Sequence, residues 1–405
     1  MDFSQEQITT IHDYCIDTDK LGKRLHKLKN KRRMSIVMPI LYEEAKNPAL
    51  AKIIEELNKC EYLNQVIIPL AADDHDQYNI VLDFLEQLQI PNLVIWCNGS
   101  RVQKIQNEMK DEGIDITQFR GKGRDVWIAL GVASLDSYAI ALHDGDIVNY
   151  TSDIPTKLLY PIVESNLNYY FNKGYYARIN FDNMTMHGRV YRLFVQPFLE
   201  ALIEDVGCES NILDFLNAFR YTLSGEFAMT SDLALNIRIP ADWGLEVGLL
   251  AEVYRNAAFK RVCQTDLGYY EHKHKEVGRD WSKGLCKMVG DIFTTFMRII
   301  SETTTINVSP SFLHSIRIKY KHHGQDLISK YYADALCNDL SYNRHDEEMN
   351  LEIFSKTIMI KGIKYLEDPT DVLLPNWVRV ISAMPDLREQ FYDAAVEDAK
   401  EWSNK

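Results

Sequence analysis

The stretch Tyr138-Ala-Ile-Ala-Leu-His-Asp144-Gly-Asp146 decides the fold of this chain. A short apolar run ends abruptly in two aspartates separated by glycine, and its length and polar stop favour a buried strand over a helix. Carboxylates at the carboxyl end of a strand in an open α/β sheet lie where such folds bind ligands. Two oxygen donors at this spacing suit a hard divalent cation that also holds phosphates. Taken alone, the pair is better interpreted as a surface turn, because Asp-Gly is a common turn dipeptide.

Strands and helices alternate before this stretch. Apolar runs at 34–41, 63–70 and 92–97 are predicted to be compact strands. Residues 49–60, 78–88 and 129–135 have the apolar spacing of helices. This alternation predicts a mostly parallel sheet with helices on both faces. No GxGxxG or P-loop motif follows the first strand, which argues against the usual dinucleotide and NTPase sites.

The composition is that of an ordinary globular protein. Of its 405 residues 46% are hydrophobic and 25% charged, with a formal charge of -13 that argues against general binding of nucleic acid or acidic membranes. No apolar run reaches the roughly 20 residues of a membrane helix, and the first residues are unlike a signal peptide. The seven cysteines are scattered without a CxxC pair, against a disulfide framework or zinc cluster. We therefore expect a cytoplasmic protein with reduced cysteines.

Two further motifs offer cations for an anionic ligand. In Gly121-Lys122-Gly123 a lysine stands between two residues that permit close backbone approach, which suits a lysine that reaches a diphosphate. The alternative is a mobile surface loop. Gly188-Arg189 and Arg192 supply guanidinium groups matched to phosphate or carboxylate, and here the alternative is an ordinary surface salt bridge.

Several acidic and histidine residues have two interpretations each. Glu226 and Glu246 lie beside glycine and are either buried carboxylates that bond sugar hydroxyls or charges at helix N-termini. His272 is either a metal ligand, which would favour manganese over magnesium, or a surface histidine in a basic segment. The cluster at 73–76 follows a predicted strand, and we interpret it as turn chemistry or a nucleoside-pocket loop rather than a metal site.

In their order along the chain, these motifs resemble those of the glucosyl-3-phosphoglycerate synthases, retaining enzymes of glycosyltransferase family 81. The resemblance spans roughly residues 34 to 280 and implies an α/β fold of the GT-A type, with a mostly parallel central sheet flanked by helices and with helical N- and C-terminal extensions. The segments that carry it are Pro39-Ile-Leu-Tyr-Glu43-Glu44, Gly121-Lys122-Gly123, Asp144-Gly-Asp146, Gly188-Arg189-Val190, Ser224-Gly-Glu226, Trp243-Gly-Leu-Glu246 and Leu267-Gly…His272.

The sequence pattern at the two ends and the resemblance between them together predict a division of the chain into four parts. Residues 1–33 form an N-terminal helical extension and residues 34–150 a Rossmann-like half that binds the nucleotide sugar. Residues 151–284 form an acceptor-binding half, and residues 285–405 a helical C-terminal extension. The C-terminal segment is a candidate for packing between subunits of a homodimer.

The resemblance also implies an activity. Glucose would pass from a nucleoside-diphosphate glucose to the 2-hydroxyl of 3-phospho-D-glycerate, with Mg²⁺ or Mn²⁺ as cofactor and without a nucleic-acid or membrane partner. One alternative is a mannosyl-3-phosphoglycerate synthase that uses GDP-mannose, and another is a sugar-nucleotide-binding protein without turnover. A nucleotidyltransferase on a similar sheet is disfavoured because the first strand lacks a glycine-rich signature.

Finally, the resemblance assigns roles to individual residues. Glu246 and Asp144 are the predicted catalytic residues, and Asp146 and His272 the predicted metal ligands. The predicted donor-binding residues are Pro39, Leu41, Glu43, Lys122, Asp144, Gly145 and Asp146. The predicted acceptor-binding residues are Gly188, Arg189, Tyr191 and His274. Tyr191 and His274 replace a threonine and an asparagine of the family's pattern, so the acceptor site departs from that pattern more than the metal site does.

Overall fold

The computed structural model describes residues 5–206, 210–271, 284–369 and 373–403. Its strands are β1 (Thr9–Ile11), β2 (Met34–Val37), β3 (Ile40–Leu41), β4 (Gln65–Ala71), β5 (Asn92–Trp96), β6 (Ala139–Leu142), β7 (Phe171–Asn180), β8 (Thr185–Met186), β9 (Phe227–Thr230), β10 (Ile239–Pro240), β11 (Val262–Tyr270) and β12 (Leu373–Leu374).

The α-helices are α1 (Thr18–Leu28), α2 (Pro48–Leu57), α3 (His75–Leu85), α4 (Ser100–Asp111), α5 (Lys122–Ala133), α6 (Asp153–Val163), α7 (Gln196–Val206), α8 (Asn211–Asn217), α9 (Ser231–Asn236), α10 (Leu245–Asn256), α11 (Gly284–Thr303), α12 (Pro310–Cys337), α13 (Arg344–Glu367), α14 (Trp377–Ala383) and α15 (Leu387–Ser403). Short 3₁₀ turns span Tyr42–Lys46 and Phe259–Arg261, and a π-helical turn spans Tyr191–Val195.

One mixed sheet organises the molecule. Its strand order is β1-β11-β7-β9-β6-β2-β4-β3, with β5 paired to β4 and β8 to β7. The pairs are parallel except that β9 runs antiparallel to β6 and β7, and β8 antiparallel to β7. The predicted mostly parallel sheet with flanking helices is therefore confirmed. Strands from before and after residue 150 pair within this one sheet. The four-part division of the chain stays a prediction.

Strand β6 lies in the middle of this sheet, between β2 and β9. All four of its residues are buried, as expected for an apolar strand covered by helices on both faces. Because β2, β4 and β6 are parallel, their carboxyl ends meet at one edge of the sheet. The loops that follow Val37, Ala71 and Leu142 therefore come together there.

The apolar run 34–41 is interrupted at Pro39, which has no N–H to donate to a sheet ladder, so it forms β2 before the proline and β3 after it. Both strands pair with β4 on either side of that interruption. The N-terminal extension is not wholly helical, since Thr9–Ile11 forms an edge strand beside β11 and the helix begins only at Thr18. Its β-branched residues fit a sheet edge better than a helix.

The C-terminal helices belong to the same core. Trp377 stacks on Trp127 with ring centroids 4.2 Å apart, and its indole N–H donates to the Trp127 carbonyl at 2.9 Å. Gly131 makes this possible, because a Cβ there would lie 2.2 Å from the Trp377 ring. The contact braces α5, whose first residue is Lys122.

The predicted homodimer stays a prediction. Across the described ranges, the structure contains no helix that is both long and apolar enough to cross a membrane.

Candidate active site

A cleft of about 440 Å³ opens at the edge of the sheet where β2, β4 and β6 end. Its walls come from the loops after these strands and from the first turns of α5 and α10. The predicted donor-binding and catalytic residues that line it are Pro39, Leu41, Lys122, Asp144, Gly145, Asp146 and Glu246. Residues from seven separate parts of the sequence therefore meet in one concave site, which is the kind of site that binds a small ligand.

Lys122 lies at the centre of the charged groups in this cleft. The preceding Gly121 has φ +122°, a conformation that favours glycine, and it turns the chain into α5. The Lys122 ammonium lies 2.6 Å from Oδ1 of Asp144 and 3.2 Å from Oε1 of Glu246. Burial alone would lower the pKa of Lys122, but the two carboxylates outweigh it and raise the pKa above its ordinary value. A charged ammonium therefore faces the cleft.

Close packing of the backbone brings Glu246 to this lysine. A Cβ on Gly123 would lie 2.3 Å from the carbonyl oxygen of Pro240, so only glycine permits this approach. The contact presses the start of α5 against the segment that leads into α10. Glu246, in the first turn of α10, is 7% exposed and faces Lys122. Glu246 is thus both buried and a charge at a helix N-terminus, and its bonding to sugar hydroxyls stays a prediction.

The loop at 224–226 packs against Asp144. A Cβ on Gly225 would lie 2.5 Å from Oδ2 of Asp144, so the loop packs directly on that carboxylate. The Lys173 ammonium is fully buried and donates to the Ser224 carbonyl at 2.7 Å. Burial lowers the pKa of Lys173 to about 8. Burial, followed by the charge of Asp144, raises the pKa of Glu226 to about 7. Sequence reasoning missed Lys173, since nothing local marks a strand lysine as buried.

Glu44 enters the cleft where sequence reasoning placed Glu43. Oε2 of Glu44 accepts the Leu41 backbone N–H at 2.9 Å. Burial raises the pKa of Glu44 to about 7, with a smaller contribution from the charges of Asp146 and Asp144. The Glu43 side chain instead points to solvent, 3.4 Å from Lys46, and the structure does not bring it to the cleft. The spacing of Leu41 and Glu44, typical of a capping glutamate, was the available signal.

Three of the predicted acceptor-binding residues, Gly188, Arg189 and Tyr191, lie apart from this cleft, on the segment after β8. Gly188 has φ +77°, and Arg189 lies 3.8 Å from Glu347 of α13. The Tyr191 hydroxyl donates to the Arg220 carbonyl at 3.0 Å. The described residues that line the cleft include none of Gly188, Arg189 and Tyr191. The donor and acceptor predictions thus fall on two neighbouring parts of the structure.

The remaining predicted site residues have different outcomes. His272 and His274 lie outside the described residues. In the cluster at 73–76, Asp74 accepts the Gln77 N–H at 2.8 Å and caps α3, while the His75 ring packs edge-on against Trp96 at 4.6 Å. This supports the interpretation of the cluster as turn chemistry rather than as a metal site.

Comparison with known proteins places this site in a family. No protein-family model matches the chain. The chain is 60% identical over 405 residues to the glucosyl-3-phosphoglycerate synthase of Methanococcoides burtonii, covering 100% of both proteins. It is 38% identical over 401 residues to the enzyme of that name from Persephonella marina, covering 98% of each. The chain belongs to the glucosyl-3-phosphoglycerate synthase family.

A solved structure of the family supports the fold. The crystal structure of glucosyl-3-phosphoglycerate synthase from Mycobacterium tuberculosis, in complex with Mn²⁺, UDP-glucose and phosphoglyceric acid, superposes with a TM-score of 0.52 at 20% identity. The match covers 73% of this chain and 88% of that one. The predicted GT-A type fold and the predicted family are both confirmed.

The residues of the cleft suit a divalent cation of the kind that family structure contains. Asp144, Asp146 and Glu44 present hard oxygen donors, and the pKa of Glu44 rises mainly through burial and further through its two acidic neighbours. A cation would relieve the repulsion among these three carboxylates. Within the described ranges no group of three or more acidic, histidine or cysteine side chains converges on one point. A divalent cation at Asp144, Asp146 and Glu44 would therefore need further ligands.

Proposed function

We propose that this protein transfers glucose from a nucleoside-diphosphate glucose to the 2-hydroxyl of 3-phospho-D-glycerate, with retention of the anomeric configuration. The main support for the proposal is a pair of contacts in the cleft beyond β6: the Lys122 ammonium forms ion pairs with Asp144 at 2.6 Å and with Glu246 at 3.2 Å. Identities of 60% and 38% over nearly the whole length of two named synthases support the same reaction.

In this proposal the donor's diphosphate replaces part of the contact that Lys122 makes with the acids. Its ammonium is placed to neutralise the charge that builds on the departing nucleoside diphosphate. Asp146, with His272, is proposed to hold the divalent metal, which when bound supplies further positive charge at the diphosphate. Asp144 is proposed to lie nearer the sugar or ribose, because Lys122 and Gly225 fix its carboxylate. Pro39 and Leu41 are proposed to contact the nucleoside.

Glu246 is proposed to act at the reacting carbon. Its carboxylate is tied to Lys122 at 3.2 Å and is otherwise enclosed, so it is positioned rather than mobile. Two routes lead to retention. In one, the acceptor attacks from the face of the leaving group, whose phosphate oxygen takes the proton, and Glu246 orients the reactants. In the other, Glu246 is the nucleophile of a double displacement.

A panel of donors and acceptors tests the proposal. UDP-, GDP- and ADP-glucose and GDP-mannose are each offered with 3-phosphoglycerate, with glycerate or without acceptor, in Mg²⁺, Mn²⁺ or chelator. We expect release of nucleoside diphosphate from a glucose donor only with 3-phosphoglycerate and a metal. Consumption of no donor with any acceptor overturns the transferase proposal, and a preference for GDP-mannose replaces it by the mannosyl reaction.

A further inference from the structure

The proposed acceptor has two anionic groups, and a single arginine pairs with only one of them. 3-Phosphoglycerate carries a carboxylate beside its reacting carbon and a phosphate at its other end. Each anionic group, once removed from water, requires its own charged or hydrogen-bonding partners. Arg189 is suited to one of them. A second cation beside the same segment would suit the other.

Most cations near this segment already have acidic or carbonyl partners. Arg192 donates to both carboxylate oxygens of Glu347, at 2.6 and 3.3 Å. Lys122 lies between Asp144 and Glu246, at the donor end. Lys173 is buried against a carbonyl oxygen beneath the site. None of these three is placed to take a second anion of the acceptor.

Arg178 differs from them. It lies near the end of β7, and its carbonyl accepts the His187 N–H at 2.8 Å. Its Cδ is 3.8 Å from the position of a Cβ on Gly188, so it packs beside the predicted acceptor residues. The Nε atom of Arg178 is buried and has no hydrogen-bond partner among the described residues. The arginine–carboxylate ion pairs of this segment belong instead to Arg189 and Arg192.

The surroundings of Arg178 connect it to the donor end. Burial alone would lower its pKa, but the neighbouring Tyr221 and Tyr176, and then the carboxylate of Asp146, raise the pKa above its usual value. The guanidinium therefore remains charged. Because β9 runs antiparallel to both β6 and β7, these two strands point the same way, and Arg178 near the end of β7 lies at the same edge of the sheet as the loop that carries Asp146. Arg189, by contrast, lies beside Glu347 of α13.

We propose that Arg178 binds the carboxylate of the acceptor while Arg189 binds its phosphate, an assignment that rests on the proposed function. The reacting hydroxyl must lie at the anomeric carbon of the donor, next to the diphosphate and Asp146. The carboxylate is attached to the carbon that bears this hydroxyl, and it therefore lies at the same end of the acceptor. Of the arginines that the structure describes in this segment, Arg178 lies on that side, and its planar fork matches a carboxylate with two parallel hydrogen bonds.

Calorimetric titration of two ligands tests the assignment, with UDP and Mn²⁺ present throughout. The ligands are 3-phosphoglycerate and glycerol 3-phosphate, which has the phosphate but lacks the carboxylate. We expect Arg178→Gln to weaken 3-phosphoglycerate binding by roughly 10- to 100-fold, as for loss of a charge-assisted hydrogen-bonded pair, and to leave glycerol 3-phosphate within about twofold. Arg189→Gln should weaken both ligands. The matched control is Arg261→Gln, since Arg261 also faces a tyrosine ring, that of Tyr170, but at the opposite end of β7.

Each other outcome has a defined meaning. Equal weakening of both ligands by Arg178→Gln, or no weakening, overturns the assignment. UDP binding reports whether the variant is folded; if Arg178→Gln loses it, Arg178→Lys carries the test, because it keeps the charge and loses only the fork. A wild-type protein that consumes no glucose donor with 3-phosphoglycerate refutes the proposed function itself. A wild-type protein that turns over while Arg178→Gln binds normally refutes only the role of Arg178.

Discussion

The proposed donor end and the proposed acceptor end of the site are built in different ways. At the donor end, Lys122, Asp144 and Glu246 stand at the ends of a strand and of two helices and are joined to one another by ion pairs. At the acceptor end, Arg189 and Arg192 share Glu347, which is supplied by α13 from 155 residues beyond Arg192. The sheet sets the donor geometry, whereas packing of the C-terminal helices sets much of the acceptor geometry.

This difference leads to an expectation about variants. Changes at the donor end should reduce the rate of the chemical step, because the charged groups there act on the leaving diphosphate. Changes at the acceptor end should raise the acceptor KM and lower stability, because the loop there depends on distant packing. The two ends are therefore separable by measuring kcat, the two KM values and the free energy of unfolding together.

The largest expected effect is that of Asp146→Ala. Loss of the predicted metal ligand should lower kcat by roughly a thousandfold, about 4 kcal/mol of transition-state stabilisation. Release of nucleoside diphosphate over a Mn²⁺ titration measures it. The control is Asp76→Ala, an exposed aspartate after β4 that should retain full activity. Wild-type rates in Asp146→Ala would contradict the assignment of a metal site to the donor end.

A smaller effect is expected for Lys122→Met, which keeps the length of the side chain and removes its charge. Asp144 and Glu246 would lose their shared partner, and the leaving diphosphate would lose a cation. We expect kcat to fall by roughly 30- to 100-fold, or about 2–3 kcal/mol, with the acceptor KM little changed. Steady-state kinetics with each substrate varied in turn measures this. A change confined to the acceptor KM would contradict the assignment of Lys122 to the donor.

The sequence was sufficient to bring most of the proposed donor-end residues into one cleft, because its signals there are local. Asp144-Gly-Asp146 after an apolar run, and Lys122 between glycines, identify residues at the ends of elements, and parallel pairing brings such ends together. One assignment failed by a single residue: Glu44 rather than Glu43 enters the cleft, because the 3₁₀ turn after Leu41 rotates the side chains. A turn of that kind is not distinguishable from a helix start by apolar spacing.

At the acceptor end the sequence was less informative, for a physical reason. Arg189 and Arg192 look alike in sequence, yet Glu347 binds Arg192 with both oxygens and only approaches Arg189. Arg178 gave no signal at all, since a strand arginine is ordinarily a solvated surface residue. Which arginine remains available depends on contacts between residues far apart in the chain, and one sequence does not show them.

The next expected effect is that of Glu347→Gln, which tests the role of the C-terminal helices. The buried charge of Arg192 would lose its counter-ion, so we expect the free energy of unfolding to fall by about 2 kcal/mol. The acceptor KM should rise by roughly fivefold because the loop loses its brace, while the donor KM stays constant. Denaturant unfolding and steady-state kinetics measure these changes. Glu352→Gln is the control on the same helix, as its pair with Lys321 is exposed and should contribute little.

The smallest expected effect is that of Tyr221→Phe. This variant tests whether a small change at the acceptor end leaves the donor end unaffected. Tyr221 is buried, and its hydroxyl interacts with the Arg178 guanidinium. Removing the hydroxyl alone should raise the acceptor KM by roughly three- to fivefold, about 1 kcal/mol, and leave kcat and the donor KM unchanged. Tyr254→Phe, in the aromatic cluster with Phe215 and Phe259, is the control and should change neither KM. An effect of Tyr221→Phe on the donor KM would show that the two ends are coupled through Arg178 and Asp146 rather than separate.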